Sequence, residues 1–113
     1  MGGAACWSYR STVNFSDCKF HGNSAAGRGG AIKLTSNAGT KGYTTLNRCQ
    51  IYDNEAQVMG SAIFLHHGVK LDIINTTITG NKSGTEGEVA AVFAIGSDGT
   101  YARQITIINS TIA

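Results

Sequence analysis

Short runs of alternating apolar and polar residues recur along the whole 113-residue chain. Val13-x-Phe15, Ile32-x-Leu34, Ile63-x-Leu65, Leu71-x-Ile73 and Ile105-x-Ile107 each set apolar side chains two residues apart. That is the period of a strand with one buried face. The runs are rich in Ile, Thr, Val and aromatic residues, which suit a pleated surface. No segment sustains helical spacing for three turns, and the 15 glycines, with many Asn, Ser and Thr, fill the gaps between runs. The pattern predicts an all-β chain of short strands joined by turns.

The runs belong to a larger unit. FSDCKFHGN (15–23), LNRCQIYDN (46–54) and INTTITGN (74–81) are copies of one motif, and ITIINSTIA (105–113) opens a fourth. GGAIKL (29–34) and GSAIFL (60–65) follow the first two copies. Phe20, Ile51, Ile78 and Ile112 align in one column, at spacings of 31, 27 and 34 residues. Asn23, Asn54 and Asn81 form a second column, and six residues beyond each stands a glycine: Gly29, Gly60 and Gly87. With that spacing constant, the length variation is assigned to one corner, between Leu34 and Thr44, Leu65 and Leu71, and Val92 and Ile105. A unit of this size, built of short strands, cannot bury its own apolar face and must stack on its neighbours. Leucines are too few for a leucine-rich repeat. The prediction is a right-handed parallel β-helix solenoid of about three and a half coils, forming a single domain over residues 1–113. Its handedness follows from the crossover preference of parallel strands.

Each column then acquires a role. Val13/Thr44/Leu71/Ile105, Phe15/Leu46/Ile73/Ile107 and Phe20/Ile51/Ile78/Ile112 are expected to point inward. Ala5/Ile32/Ile63/Ala90 and Trp7/Leu34/Leu65/Val92 are expected to do the same on another strand. Cys18/Cys49/Thr76/Ser110 reads as an inward column of small residues, in which thiols act as small hydrophobes. At a turn, the Asn23/Asn54/Asn81 carboxamides can satisfy backbone groups and bond to the same amide one coil away. Gly29, Gly60 and Gly87 are expected to supply tight or positive-φ backbone. Gly2 aligns with Gly29, Ala113 lies inside a strand, and neither end reads as a cap. A segment of a longer β-helix is therefore expected.

The pairing of FHGN, IYDN and ITGN with GGAI or GSAI resembles the repeats of chlamydial polymorphic outer-membrane proteins. More broadly, it is similar to the right-handed β-helix superfamily that includes pectate lyases and autotransporter passengers. The third copy departs from the pattern, with GEVA (87–90) in place of GGAI. The resemblance implies a non-catalytic extracellular or cell-surface module, adhesin-like or passenger-like. Two alternatives share the fold: a fragment of a carbohydrate-active enzyme (polysaccharide lyase or glycoside hydrolase) and a filament or tail-spike-like assembly module.

Charge and chemistry narrow the choice. A net charge of +2 with 14% charged residues leaves no basic stripe, which argues against a nucleic-acid partner. No 18-residue apolar stretch and no signal segment is present, so this segment is not expected to insert into a membrane. Three cysteines cannot close a disulfide framework within one chain. The acids do not share columns: Asp17 aligns with Arg48 and Asn75, Asp72 with Asn14 and Thr45, Asp53 with Gly22 and Gly80, Glu55 with Ser24 and Lys82. No catalytic residue, metal site or cofactor is therefore expected. Asp53–Glu55 and Glu86–Glu88 read as solvated turns, and Asp17–Arg48 as a surface ion pair. His21, aligned with Tyr52 and Thr79, reads as an outward turn position. Recognition is assigned to the corner loops 35–43, 66–70 and 93–104, which carry Tyr43, His66, His67, Phe93, Tyr101 and Arg103. Loops on a rigid scaffold commonly carry specificity, and a host-cell receptor or glycan is the expected partner.

Overall fold

Four short strands, then the same four again, describe how the chain runs. The computed structural model describes residues 6–9, 11–35, 42–58, 60–66, 69–83, 92–95 and 105–113. The first pass is β1 (Cys6–Tyr9), β2 (Thr12–Ser16), β3 (Lys19–His21) and β4 (Ser24–Ala25). The second is β5 (Ile32–Thr35), β6 (Gly42–Asn47), β7 (Gln50–Tyr52) and β8 (Glu55–Ala56). The third is β9 (Ile63–His66), β10 (Val69–Ile74), β11 (Thr77–Thr79) and β12 (Lys82–Ser83). A fourth contributes β13 (Val92–Ile95), β14 (Ile105–Ile108) and β15 (Thr111–Ile112). No described residue is helical.

Each strand pairs with its counterpart one pass away. The sheets are β1-β5-β9-β13, β2-β6-β10-β14, β3-β7-β11-β15 and β4-β8-β12, here the first to the fourth. Every pairing is parallel. Val13, Thr44, Leu71 and Ile105 are register partners in the second sheet. Phe20, Ile51, Ile78 and Ile112 are partners in the third.

Register in the first sheet differs from the expected columns at both ends. Cys6, Ile32, Ile63 and Val92 share one column, and Ser8, Leu34, Leu65 and Ala94 the other. Trp7 pairs with Lys33, and Val92 with Ile63 rather than Leu65. Ala5, Gly87 and Ala90 lie outside the described residues. At β13 the cause is a connection of unequal length. Ala25 to Ile32 and Ala56 to Ile63 are each seven residues apart, whereas Ser83 to Val92 is nine, although each pair is in register. Length variation is thus not confined to one corner. A slip of one residue exchanges the two faces of a strand, which is why the alignment at β1 matters.

Sharp corners come from backbone in the left-handed region. Between the second and third sheets, Asp17, Arg48, Asn75 and Asn109 have φ of 57°, 55°, 48° and 47°. Asp and Asn tolerate this region best among residues with a side chain, and Arg48 carries the larger penalty. Between the fourth and first sheets, Gly29 and Gly60 have φ of 75° and 64°. A Cβ on Gly60 would lie 2.6 Å from the Ile63 carbonyl oxygen, and one on Gly29 would collide with that of Ile32.

Inward columns fill the space between the sheets. Ile32, Ile63, Leu65, Leu46, Leu71, Ile73, Ile51 and Ile78 are fully buried, and Cys6, Phe15, Cys18, Phe20, Val92 and Ile105 pack against them. Burying each such aliphatic side chain contributes about 1.5–3 kcal/mol. Ile107, in the column of buried Leu46 and Ile73, is half exposed. A second kind of column is polar. The Thr76 and Ser110 hydroxyls donate to the carbonyls of Ile74 and Ile108, at 2.9 and 2.8 Å. Each hydroxyl also accepts the N–H of the residue one pass earlier, Cys49 at 3.2 Å and Thr76 at 3.1 Å. The Cys18 and Cys49 thiols donate to the carbonyls of Ser16 and Asn47 in the same way. This column therefore binds backbone as well as filling volume.

Candidate functional site

Two of the residues expected to recognise a partner, Tyr43 and His66, lie in strands that flank the connection between the first and second sheets. His66 closes β9 and Val69 opens β10, which carries Lys70 and Asp72. In β10 the burial alternates, with Val69, Leu71 and Ile73 buried and Lys70, Asp72 and Ile74 partly exposed. Tyr43, Thr45 and Asn47 occupy the same outer face of β6, register partners of Lys70, Asp72 and Ile74.

Tyr43 lies inside β6, not in the corner loop 35–43 to which the repeat spacing assigns it. Gly42 and Tyr43 extend the strand because they pair with Val69 and Lys70. The Tyr43 hydroxyl donates to the Asp72 carboxylate. Lys70 Nζ sits 5.2 Å from the Tyr43 ring centroid, in cation–π range. The other carboxylate oxygen of Asp72, Oδ1, is buried and has no hydrogen-bond partner, and the same holds for Asn47 Oδ1. An aromatic ring, a cation and an acceptor-rich carboxylate thus share one rigid sheet face, which suits a ligand that offers hydroxyl or amide donors.

His66 is half-buried and stacks on Phe64, ring centroids 6.1 Å apart at 26°. His67, Tyr101 and Arg103 lie outside the described residues. On the third sheet His21 and Tyr52 stack face to face at 4.9 Å and 4°. They belong to strands β3 and β7 rather than to a turn, and this aromatic pair carries no signal in the sequence beyond its alignment.

Among the described residues the acids are dispersed. Arg48 Nε and Nη2 grip Asp17 Oδ1 and Oδ2 at 2.8 and 3.0 Å, across one pass. The hydrogen bond from Arg48, aided by its charge, holds the Asp17 carboxyl below the usual carboxylate range. Both side chains are more than half exposed, so the pair adds little to stability. Glu55 accepts from Gln57 Nε2 at 3.0 Å and is the register partner of Lys82. Burial raises the Cys6 and Cys49 thiols above their ordinary values, the behaviour of inert structural cysteines.

Residues 17–35 match the family model of the Chlamydia polymorphic membrane protein repeat. The matched stretch runs from Asp17 through Asn23, the Gly29 turn and β5 to Thr35. No curated protein and no solved structure matches the chain.

Proposed function

We propose that this chain is a non-catalytic module of an outer-membrane or other cell-surface protein, acting as an adhesin-like scaffold. Its passes wind as a right-handed parallel β-helix of about three and a half coils, the hand following from the crossover preference of parallel strands. The matched repeat, which runs from the first pass into β5 of the second, supports the surface location. The Tyr43–Lys70–Asp72 platform beside the first corner is the recognition surface on this reading, with a host-cell receptor or glycan as its partner. The observation that carries it is the Tyr43–Asp72 hydrogen bond on an outward face, with the Lys70 ammonium over the Tyr43 ring.

The test is binding of the chain to host cells and to an immobilised glycan panel. Binding should survive Asp17→Asn, Asp53→Asn and Glu55→Gln together, and should be lost in Tyr43→Ala and Lys70→Ala proteins of unchanged strand content. Loss in the acid triple variant, or retention in the platform variants, would overturn the assignment. A parallel digest of pectin-like and other polysaccharides addresses catalysis: new reducing ends or unsaturated products would favour the carbohydrate-active enzyme.

A further inference from the structure

Cys18 and Cys49 stand at the same position of successive passes, in the turn between the second and third sheets. Ser16 pairs with Asn47 on one side of that turn, and Lys19 with Gln50 on the other. The Gln50 N–H donates to the Cys18 carbonyl at 2.9 Å, so the two passes are tied at the cysteines themselves. Directly before them, Arg48 grips the Asp17 carboxylate through both of its oxygens. Adjacent strands run about 4.8 Å apart, and a disulfide spans Cα atoms about 4.4–6.8 Å apart. The pair therefore lies within bonding reach without any rearrangement of the passes.

Both thiols turn to the same side. Cys18 Sγ donates to the Ser16 carbonyl at 3.2 Å, and Cys49 Sγ makes the matching bond to Asn47 at 3.4 Å. Cys49 Sγ also lies 3.5 Å from the Phe15 carbonyl oxygen, on the strand that leads into Cys18. The later thiol thus reaches back across the gap between passes toward the earlier one. Their surroundings differ, since Cys18 is half-buried and Cys49 is 2% exposed. A dissolved reagent meets Cys18 first. Thr76 and Ser110 continue the column in the later passes, so among the described residues these are its only neighbouring thiols. Cys6 lies in the first sheet, in register with Ile32.

We propose that Cys18 and Cys49 form a reversible disulfide that locks the first pass to the second. The oxidant is a small-molecule disulfide such as oxidised glutathione. The Cys18 thiolate attacks one of its sulfurs, forming a mixed disulfide and releasing one glutathione thiolate. The Cys49 thiolate then attacks the Cys18 sulfur, and the second glutathione thiolate leaves. Two protein thiols are oxidised, one glutathione disulfide is reduced, and the two protein protons end on the glutathione thiolates. Burial holds the Cys49 proton tightly, which makes the second step the slow one. This turn is separate from the Tyr43–Lys70–Asp72 platform, so either assignment can fail alone.

The experiment uses the Cys6→Ser chain, in which Cys18 and Cys49 are the only thiols. It is equilibrated in buffers of graded reduced and oxidised glutathione, its free thiols are alkylated, and the product is weighed. At the oxidising limit the expected product takes up no alkyl group and is lighter than the reduced chain by two hydrogens. Its proteolytic digest should contain a fragment that joins Cys18 to Cys49. Strand content should match that of the reduced chain, and the urea midpoint should be higher, falling back when reductant is added. Adding Cys49→Ser, whose hydroxyl the column already accepts at Ser110, should stop the reaction at a glutathione adduct on Cys18 with no gain in urea resistance. Two free thiols at the oxidising limit, glutathione retained on Cys18 beside an intact Cys49, or linked dimers in place of the internal bond would each refute the pairing. An oxidised chain with a lower urea midpoint would refute the lock.

Discussion

Asn54 is bonded to Asn81 twice: its backbone N–H and its side-chain Nδ2 both donate to Oδ1 of Asn81, each at 2.9 Å. The same carboxamide donates to the carbonyls of Phe20 and Tyr52 at 3.0 and 3.1 Å. At Oδ1 it accepts the N–H and Nδ2 of Asn23, at 3.1 and 2.9 Å. One side chain thus ties three passes together at the turn between the third and fourth sheets. Asn54 is 1% exposed, so water cannot take over any of these bonds.

Asn54→Ala should therefore be among the most damaging single changes in the chain. It strands the Asn23 N–H and the Phe20 and Tyr52 carbonyls in a buried setting, with an expected loss of about 2–4 kcal/mol. Asn23→Ala, at the partly exposed end of the ladder, should cost about 1 kcal/mol. Urea denaturation of both variants measures the difference, and equal losses would show that the ladder does not hold the passes together.

Gly60 and Gly22 share a left-handed backbone, at φ of 64° and 67°, but differ in the space around them. A Cβ on Gly22 meets nothing within 4 Å, whereas one on Gly60 meets the Ile63 carbonyl oxygen at 2.6 Å. Gly22→Ala should cost about 1–2 kcal/mol, the conformational penalty alone. Gly60→Ala adds a collision with backbone that cannot rotate away, and should exceed Gly22→Ala by about 1–3 kcal/mol. Thermal unfolding of the two variants separates backbone strain from steric fit.

What the residue pattern revealed, and what it hid, divides along physical lines. The second and third sheets were legible because their strands alternate strictly and lie a fixed distance from the Asp17/Arg48/Asn75 turn column. The first sheet was not, at its ends. Anchoring Gly2 on Gly29 and Gly87 on Gly60 presumed equal turns, and the stretch from Ser83 to Val92 is two residues longer than its counterparts. Tyr43 read as loop because the repeat spacing runs the variable stretch from Leu34 to Thr44, yet its pairing with Lys70 places it on the platform. The Cys18/Cys49/Thr76/Ser110 column read as filler because cysteine counts as apolar. The hydroxyls of Thr76 and Ser110 show its second role, in accepting backbone N–H groups. Arg28 over Phe64 could not be seen, since 36 residues separate them and no motif joins them.

The Asp17 carboxyl is held low by its hydrogen bond from Arg48. A folded-state pKa below the unfolded value contributes stability above the unfolded pKa, and that contribution is lost as pH falls through the folded one. The window therefore lies in acid, below the ordinary aspartate range of about 3.9. Arg48→Ala should move the Asp17 titration upward, read from its carboxyl carbon shift. Neutral-pH stability should change little, because the pair is exposed and because an alanine keeps the same strained φ. An unmoved titration in Arg48→Ala would show that the ion pair is absent in solution.

Tyr43 and Asp72 allow the platform to be tested without any ligand. The Tyr43 hydroxyl donates to the Asp72 carboxylate, whose Oδ1 is buried without a partner. Tyr43→Phe removes that donor and should cost about 1.5–3 kcal/mol, the range for a hydrogen bond to a charged group. Asp72→Asn supplies a carboxamide in place of the charge and should cost less, because it lightens the burden on the unpaired oxygen. In a double-mutant cycle the two changes should be strongly non-additive, with a coupling of about 1 kcal/mol or more between residues in direct contact. Additive losses would mean that the ring and the carboxylate act separately, leaving the corner with a hydrophobic patch and an isolated acid instead of one preorganised surface.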